Sequence, residues 1–235
     1  MASVCSVRKS MGGFLWLLIA TLAPAQQPDA AAVIRDLDTA NQSRFDNVLG
    51  FTDVEHYKVF RGEDQTHPAA EMTVRTTYTK GIGKSYIIVS QSGSGLIQKL
   101  GLQPILDSEK AINDPARVAQ SWFTSANYEM HLQTQTQQVI DGHTCVALSV
   151  TPRHKAPNMI EGTIWVDAGD HTLVKVEGTS SKSASVFAGT TKMMRRYVKM
   201  QGYAMATQAR AESTSKIFGP TVIVIDYSDY HFQLR

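Results

Sequence analysis

Residues Glu161–Gly178 read EGTIWVDAGDHTLVKVEG. Ile164 and Val166 alternate with Trp165 and Asp167. Beyond Ala168-Gly169-Asp170, Thr172, Val174 and Val176 alternate with Leu173, Lys175 and Glu177. A period of two on both sides of a glycine-containing turn predicts a β-hairpin. Each arm also carries a large apolar residue on its second side, Trp165 on one and Leu173 on the other. Such a hairpin suits a sheet that curls around one face and shelters parts of the other under a loop or a neighbour.

The same grammar recurs outward from this point. Glu71–Lys80 alternates, with Met72, Val74, Thr76 and Tyr78 on one side; Gly81-Ile82-Gly83 then turns the chain into Lys84–Ser90. Phe51–Phe60 is rich in β-formers. From Asn127 onward the chain reads as strands and turns: Tyr128–Ile140, the Asp141-Gly142 turn, Thr144–Thr151, a loop through Pro157, the opening hairpin, and a serine-rich loop at 179–185. Lys192–Met200, Tyr203–Ile217 and Thr221–Phe232 follow, with turns at Gln201-Gly202 and Phe218-Gly219-Pro220.

Two stretches have helical spacing. Pro28–Phe45 places Val33, Ile34, Leu37 and Phe45 near one face, with Arg35, Asp36, Asp38 and Arg44 mostly elsewhere and Asp29 as N-cap. Gly95–Ile112 spaces Leu96, Leu100, Ile105 and Leu106 helically, with Gly101 and Pro104 as interruptions. Asp114-Pro115 opens a short helix to Trp122. The order is helix, three strands, helical insert and about seven more strands. The expected fold is α+β: a single curved antiparallel sheet forming an unclosed β-barrel, with helices as a lid over one apolar face.

Alternation alone assigns Met72, Val74, Ile88, Ile164, Val166, Val174, Val176, Val198 and Val224 to the inner face, and Leu96, Leu100 and Leu106 to the lid. A one-residue slip of register inverts any strand's set.

Residues 1–25 read as a signal peptide: Arg8 and Lys9, the short apolar run Met11–Ala20, and the small-residue site Ala23-Pro24-Ala25. No cysteine follows that run, so a lipidated N-terminus is not indicated. Residues 26–235 are expected as a single exported domain, soluble in the periplasm and without a transmembrane segment. Arg8 and Lys9 leave with the leader, and the 21 basic residues that remain balance the 21 acidic ones. Nothing in that balance points to nucleic acid. Cys145 is then the sole cysteine, which excludes an internal disulfide; its strand pattern reads as a buried small hydrophobe.

Enzyme signatures fail. Gly83-Lys84-Ser85 lacks the glycine and the following helix of a phosphate loop, because position 78 is Tyr and a strand follows. No metal-binding HExxH or CxxC occurs. The seven histidines are scattered. A hydrolase would require His131, His143 or His171 to converge with an acid in a pocket. Asp167 and Asp170 flank a turn, where carboxylates cap backbone amides. Met159, Met193, Met194, Met200 and Met205 crowd the later strands, as core filler or as an adaptable apolar surface. Arg195 and Arg196 are adjacent, so one of them faces the apolar side and needs a partner there: a fixed salt bridge, an anionic head group or a lid.

From about Gly142 to the end the chain resembles the outer-membrane lipoprotein-sorting family of LolA-like carriers and LolB-like receptors. The text that carries the likeness is IEGTIWVDAGDHTLVKVEG (160–178), MMRRYVKMQGYAMA (193–206) and KIFGPTVIVIDYSDY (216–230). The resemblance implies an unclosed barrel with a helical lid over an apolar cavity, which classical carriers use for the acyl chains of lipoproteins. The expected reading of this chain is a monomeric binder or carrier of lipids or lipidated proteins with no catalysis, metal or cofactor. Inner- or outer-membrane proteins are implied as partners, and an envelope sensor that binds a protein is the alternative on the same fold. The family's lid-locking arginine has Arg196 and Arg75 as candidates by strand position.

Overall fold

A computed structural model describes residues 29–133, 137–156, 158–182, 190–215 and 219–235, together with Met1. The expected signal peptide lies outside the described residues. So do residues 183–185 of the serine-rich loop, Pro157, and Lys216 to Phe218 in the last turn. No described helix is long and apolar enough to cross a membrane.

Helix α1 spans Ala30–Asn47. Asp29 caps it, its carboxylate accepting from Ala31 N–H at 3.0 Å. Val33 and Leu37, four residues apart, form its buried stripe. Three strands follow: β1 (Val48–Arg61), β2 (Ala70–Thr79) and β3 (Gly83–Gly93). The helical insert comes next as α2 (Gly95–Ile97), a π-helical turn (Gln98–Leu102) and α3 (Gln103–Ile112). Gly101 and Pro104 therefore alter the winding without breaking the path, since Pro104 sits in the first turn of α3, where no amide is required. The segment after Asp114 is shorter than expected, a 3₁₀ turn at Val118–Ser121.

The remaining strands are β4 (Tyr128–Leu132), β5 (Gln138–Ile140), β6 (His143–Pro152), β7 (Ile160–Asp167), β8 (Leu173–Ser180), β9 (Lys192–Met200), β10 (Tyr203–Ser215) and β11 (Gly219–Leu234). All pairings are antiparallel, in the order β3-β2-β1-β11-β10-β9-β8-β7-β6-β4, with β5 also on β6. The first and last strands of this order do not meet. The sheet is an unclosed barrel, and the helices roof its concave face. Asp141-Gly142 and Gln201-Gly202 close their hairpins with both residues at positive φ, the geometry that matches strand twist.

The opening stretch resolves through a bulge. Trp165 pairs with Lys175, but Val166 pairs with Leu173, so Val174 is the extra residue. Leu173 thereby joins Val166 and Val176 in the buried inner cluster. Trp165 stays outside, with its indole N–H donating to Gln138 and the Lys175 ammonium 4.8 Å from the ring centroid. Trp165 is thus an outer apolar side chain that a cation covers. Gly162 and Gly178 face each other in register. A Cβ on Gly178 would come within 2.3 Å of the Glu161 carbonyl oxygen, so only glycine allows the strands to approach this closely.

Candidate functional site: a lidded cavity with a buried charge cluster

The concave face carries two apolar clusters. One joins Val33 and Leu37 of α1 to Tyr128, Leu148, Ile160, Ile164 and Val176. The other joins Ile97, Leu102 and Leu106 of the insert to Tyr57, Met72, Val74, Ala209 and Ile225. A cavity of about 520 Å³ draws its walls from both. Ile105 and Ile112 of α3, Leu173 and Val176 of β8, Met193 of β9 and Ile225 of β11 supply apolar lining. That volume is in the range of about 300–1,000 Å³ typical of sites for small ligands.

Charges cross this apolar space. Asp53 and Glu55, two apart on β1, both line it. Lys84 enters from β3, Glu109 from α3 and Arg195 from β9. Lys84 Nζ lies 2.7 Å from Glu55 Oε1, an ion pair not aligned as a hydrogen bond, and 3.4 Å from Glu109. Arg195 reaches Glu109 at 3.7 Å. The Tyr57 hydroxyl donates to the second oxygen of Glu55. Glu109 thus ties the roof helix to two well-separated strands, β3 and β9.

Burial opposes the charge on Lys84, but Glu109 and Glu55 outweigh it and raise the ammonium above its ordinary pKa. Burial also opposes ionised Glu109, yet Lys84 and Arg195 hold its carboxyl below the usual range. The Arg195 guanidinium is raised well above its ordinary value: Tyr227, Tyr197 and Glu109 overcome the penalty of burial. Asp53 behaves differently. Burial, then the neighbouring Glu55, push its carboxyl up to about 7. Asp53 Oδ1 and the hydroxyl of its cross-strand partner Thr76 are both buried without a hydrogen-bond partner.

The side chains placed by alternation divide into three groups. Val176 lines the cavity. Met72, Val74, Leu106, Ile164 and Val166 are buried beside it, in the two clusters that support the walls, and Val174 is buried at the bulge without joining either cluster. The others are corrected. Leu96 and Leu100 are 59% and 48% exposed, on the outer side of the insert, where α3 presents Ile105 and Ile112 inward instead. Ile88 is 39% exposed on the edge strand, and Val198 is 38% exposed, next to the inward Tyr197. Val224 lies between Ile223 and Ile225, which line the cavity, so its own side chain belongs to the other face.

Arg196 is corrected as well. It points away from the cavity and pairs with both oxygens of Asp141, at 2.5 and 2.7 Å. Arg75 is exposed on β2. Arg195 is the inward arginine. Arg44, expected mostly off the apolar face of its helix, lines the cavity from α1. The spacing of Asp53 and Glu55 was the available signal for the carboxylates. Lys84 and Glu109 had none, because nothing local joins an edge strand to a helix that follows it.

The three histidines that a hydrolase would require each meet an acid outside the cavity: His143 with Asp167 at 2.7 Å, His131 with Glu129 at 3.0 Å, and His171 with Asp36 at 3.5 Å. Asp167 also caps Gly169 N–H at 2.7 Å, the turn role expected of it. The Cys145 thiol is buried and donates to the His143 carbonyl; burial and then Asp167 raise its pKa, which does not favour a nucleophile. Among the described residues no group of three His, Cys, Asp or Glu side chains is placed to hold a metal.

Fold and site together define a lidded, unclosed antiparallel barrel with an apolar cavity and internal ion pairs. Solved structures similar to this chain include a LolA-superfamily protein and an outer-membrane lipoprotein-sorting domain. A putative outer-membrane lipoprotein-sorting domain from Vibrio parahaemolyticus matches with TM-score 0.48 and 13% identity, over 84% of this chain and 91% of that one. A LolA-superfamily protein from Nitrosomonas europaea matches with TM-score 0.44 and 15% identity, over 88% and 94%. A DUF1329 family protein from Desulfovibrio piger matches with TM-score 0.43 and 15% identity, over 86% and 92%. No family model and no curated protein matches the sequence. Likeness at this level concerns the fold alone.

Proposed function

We propose that residues 26–235 form a single exported, monomeric domain that binds or carries lipids, or the acyl chains of lipid-modified proteins, in the periplasm. No catalytic step is assigned to it. The observation that carries this reading is the cavity of about 520 Å³, walled by apolar side chains and roofed by a helix latched through Glu109. Each acyl CH₂ moved from water into such a space contributes about 0.8 kcal/mol. Firm holding and release then depend on the roof, and an ion-pair latch can open without dismantling the apolar core below it. The test is organic extraction of the protein recovered from an expressing periplasm, followed by mass spectrometry. Stoichiometric lipid or lipopeptide supports the reading, and a clean extract from folded protein contradicts it.

One observation favours a second reading, an envelope sensor or interaction module with a protein partner. Strand β3 is an edge of the sheet, and Ile87 and Val89 on it are 71% and 59% exposed. An apolar open edge accepts an added strand. A stable partner in a pull-down, lost on Val89→Lys, would favour this role over transient carriage.

A further inference from the structure

The cavity leaves one charge unanswered. Arg44 lines it from the last turn of α1, and its Nε is withdrawn from solvent with no hydrogen-bond acceptor. It forms no ion pair among the described residues, and the segments outside them contain no Asp or Glu. The ionisable groups close enough to act on it are the phenols of Tyr197, Tyr230 and Tyr78, not carboxylates. Burial lowers its pKa, but an arginine cannot escape the cost by giving up its proton.

The other buried charges of the cavity are answered. Lys84 has Glu55 and Glu109, and Arg195 has Glu109. Asp53, the other ionisable group without an ion pair, can take a proton near neutral pH. A fixed cation in an apolar enclosure calls for an anion brought from outside.

We propose that Arg44 receives the anionic head of an amphiphile, a carboxylate or a phosphate, whose apolar chain lies along Ile105, Ile112, Leu173, Val176 and Ile225. This rests on the acyl-binding reading above and adds head-group chemistry to it. A guanidinium suits both heads, because its fork of donors matches two oxygens of either.

Binding of cis-parinaric acid and of its methyl ester, followed by polyene fluorescence, tests the two ideas separately. The acid should bind about tenfold or more tightly than the ester. Arg44→Met should bind both at the ester's level, and Arg44→Lys should recover part of the difference. Arg44→Met should be at least as heat-stable as the unchanged protein, since it removes a part-buried charge that has no ion-pair partner among the described residues. Displacement of the probe by palmitate but not by lysophosphatidic acid would assign the head as a carboxylate, and the reverse as a phosphate monoester. Equal binding of acid and ester, unchanged in Arg44→Met, overturns the head-group proposal and leaves the acyl-binding reading standing. Binding of neither probe overturns both.

Discussion

Lys84 on the edge strand lies 3.4 Å from Glu109 on the roof helix, and the two residues come from elements that pack to opposite purposes. One belongs to the barrel wall and the other to the lid. Glu109 also faces Arg195 on β9, so a single carboxylate holds the lid to two separate strands of the sheet.

Glu109→Gln should therefore loosen the roof without collapsing the barrel. Lys84 keeps Glu55, while Arg195 loses its carboxylate. The expected cost is about 1–3 kcal/mol, with faster amide exchange across 103–112 and unchanged exchange in β6 to β8. Exchange that rises evenly over the whole sheet would show that Glu109 supports the fold and not the lid.

Asp53 should make stability depend on pH in an uncommon direction. Its folded pKa, about 7, exceeds the ordinary value of 3.8. The folded state holds this proton more tightly, so its contribution is complete below the ordinary value and lost as pH rises through about 7. Asp53→Asn should be more stable than the unchanged protein at pH 8 by about 2–4 kcal/mol, with the gap closing toward pH 4. Glu109 acts in the opposite sense: its lowered pKa gives stability above the ordinary range that is lost on acidification. Urea midpoints at pH 4 and pH 8 measure the Asp53 gap. An equal gap at both would contradict the assignment.

The bulge at Trp165 and Val166 predicts which apolar truncations matter. Leu173→Ala removes a buried side chain from the inner cluster and should cost about 2–5 kcal/mol. Val198→Ala, on the outer side of β9, should cost about 0.5 kcal/mol or less. Denaturant midpoints decide, and similar costs at the two sites would place the register wrongly.

Gly178→Ala should be among the most damaging small changes in the sheet. Its added methyl meets the Glu161 carbonyl oxygen at 2.3 Å and Ile160 Cγ2 at 2.7 Å, and backbone cannot swing aside as a flexible side chain can. A loss of about 3 kcal/mol or failure to accumulate is expected. Gly202→Ala, in the β9–β10 turn with nothing near its Cβ, should cost only the strain of positive φ.

The architecture was legible because its signals are local. Alternation, turn pairs such as Asp141-Gly142, and the helical spacing of Val33 and Leu37 each lie within a few residues, and the strands and helices formed where those signals stood. The division of faces was less legible wherever a bulge intervened. Leu173 read as outward by counting, and one extra residue at Val174 turned it inward. The lid was misread for a different reason. The π-helical turn at Gln98–Leu102 shifts the helical phase, so the face carrying Leu96 and Leu100 is not the one that α3 turns to the cavity. The charge cluster depends on contacts between distant elements, and only the pair Asp53 and Glu55 left a trace in local spacing.

The central claim is that the space under the roof is where the ligand lies. Ala211, on β10, lines that space opposite Met193. The most direct test is the amount of acyl chain extracted per mole of protein, compared between the unchanged chain and Ala211→Trp with equal thermal stability confirmed. Stoichiometric lipid in the first and a several-fold loss in the second is the predicted result. Equal lipid in both, or none in the unchanged protein, would contradict the account.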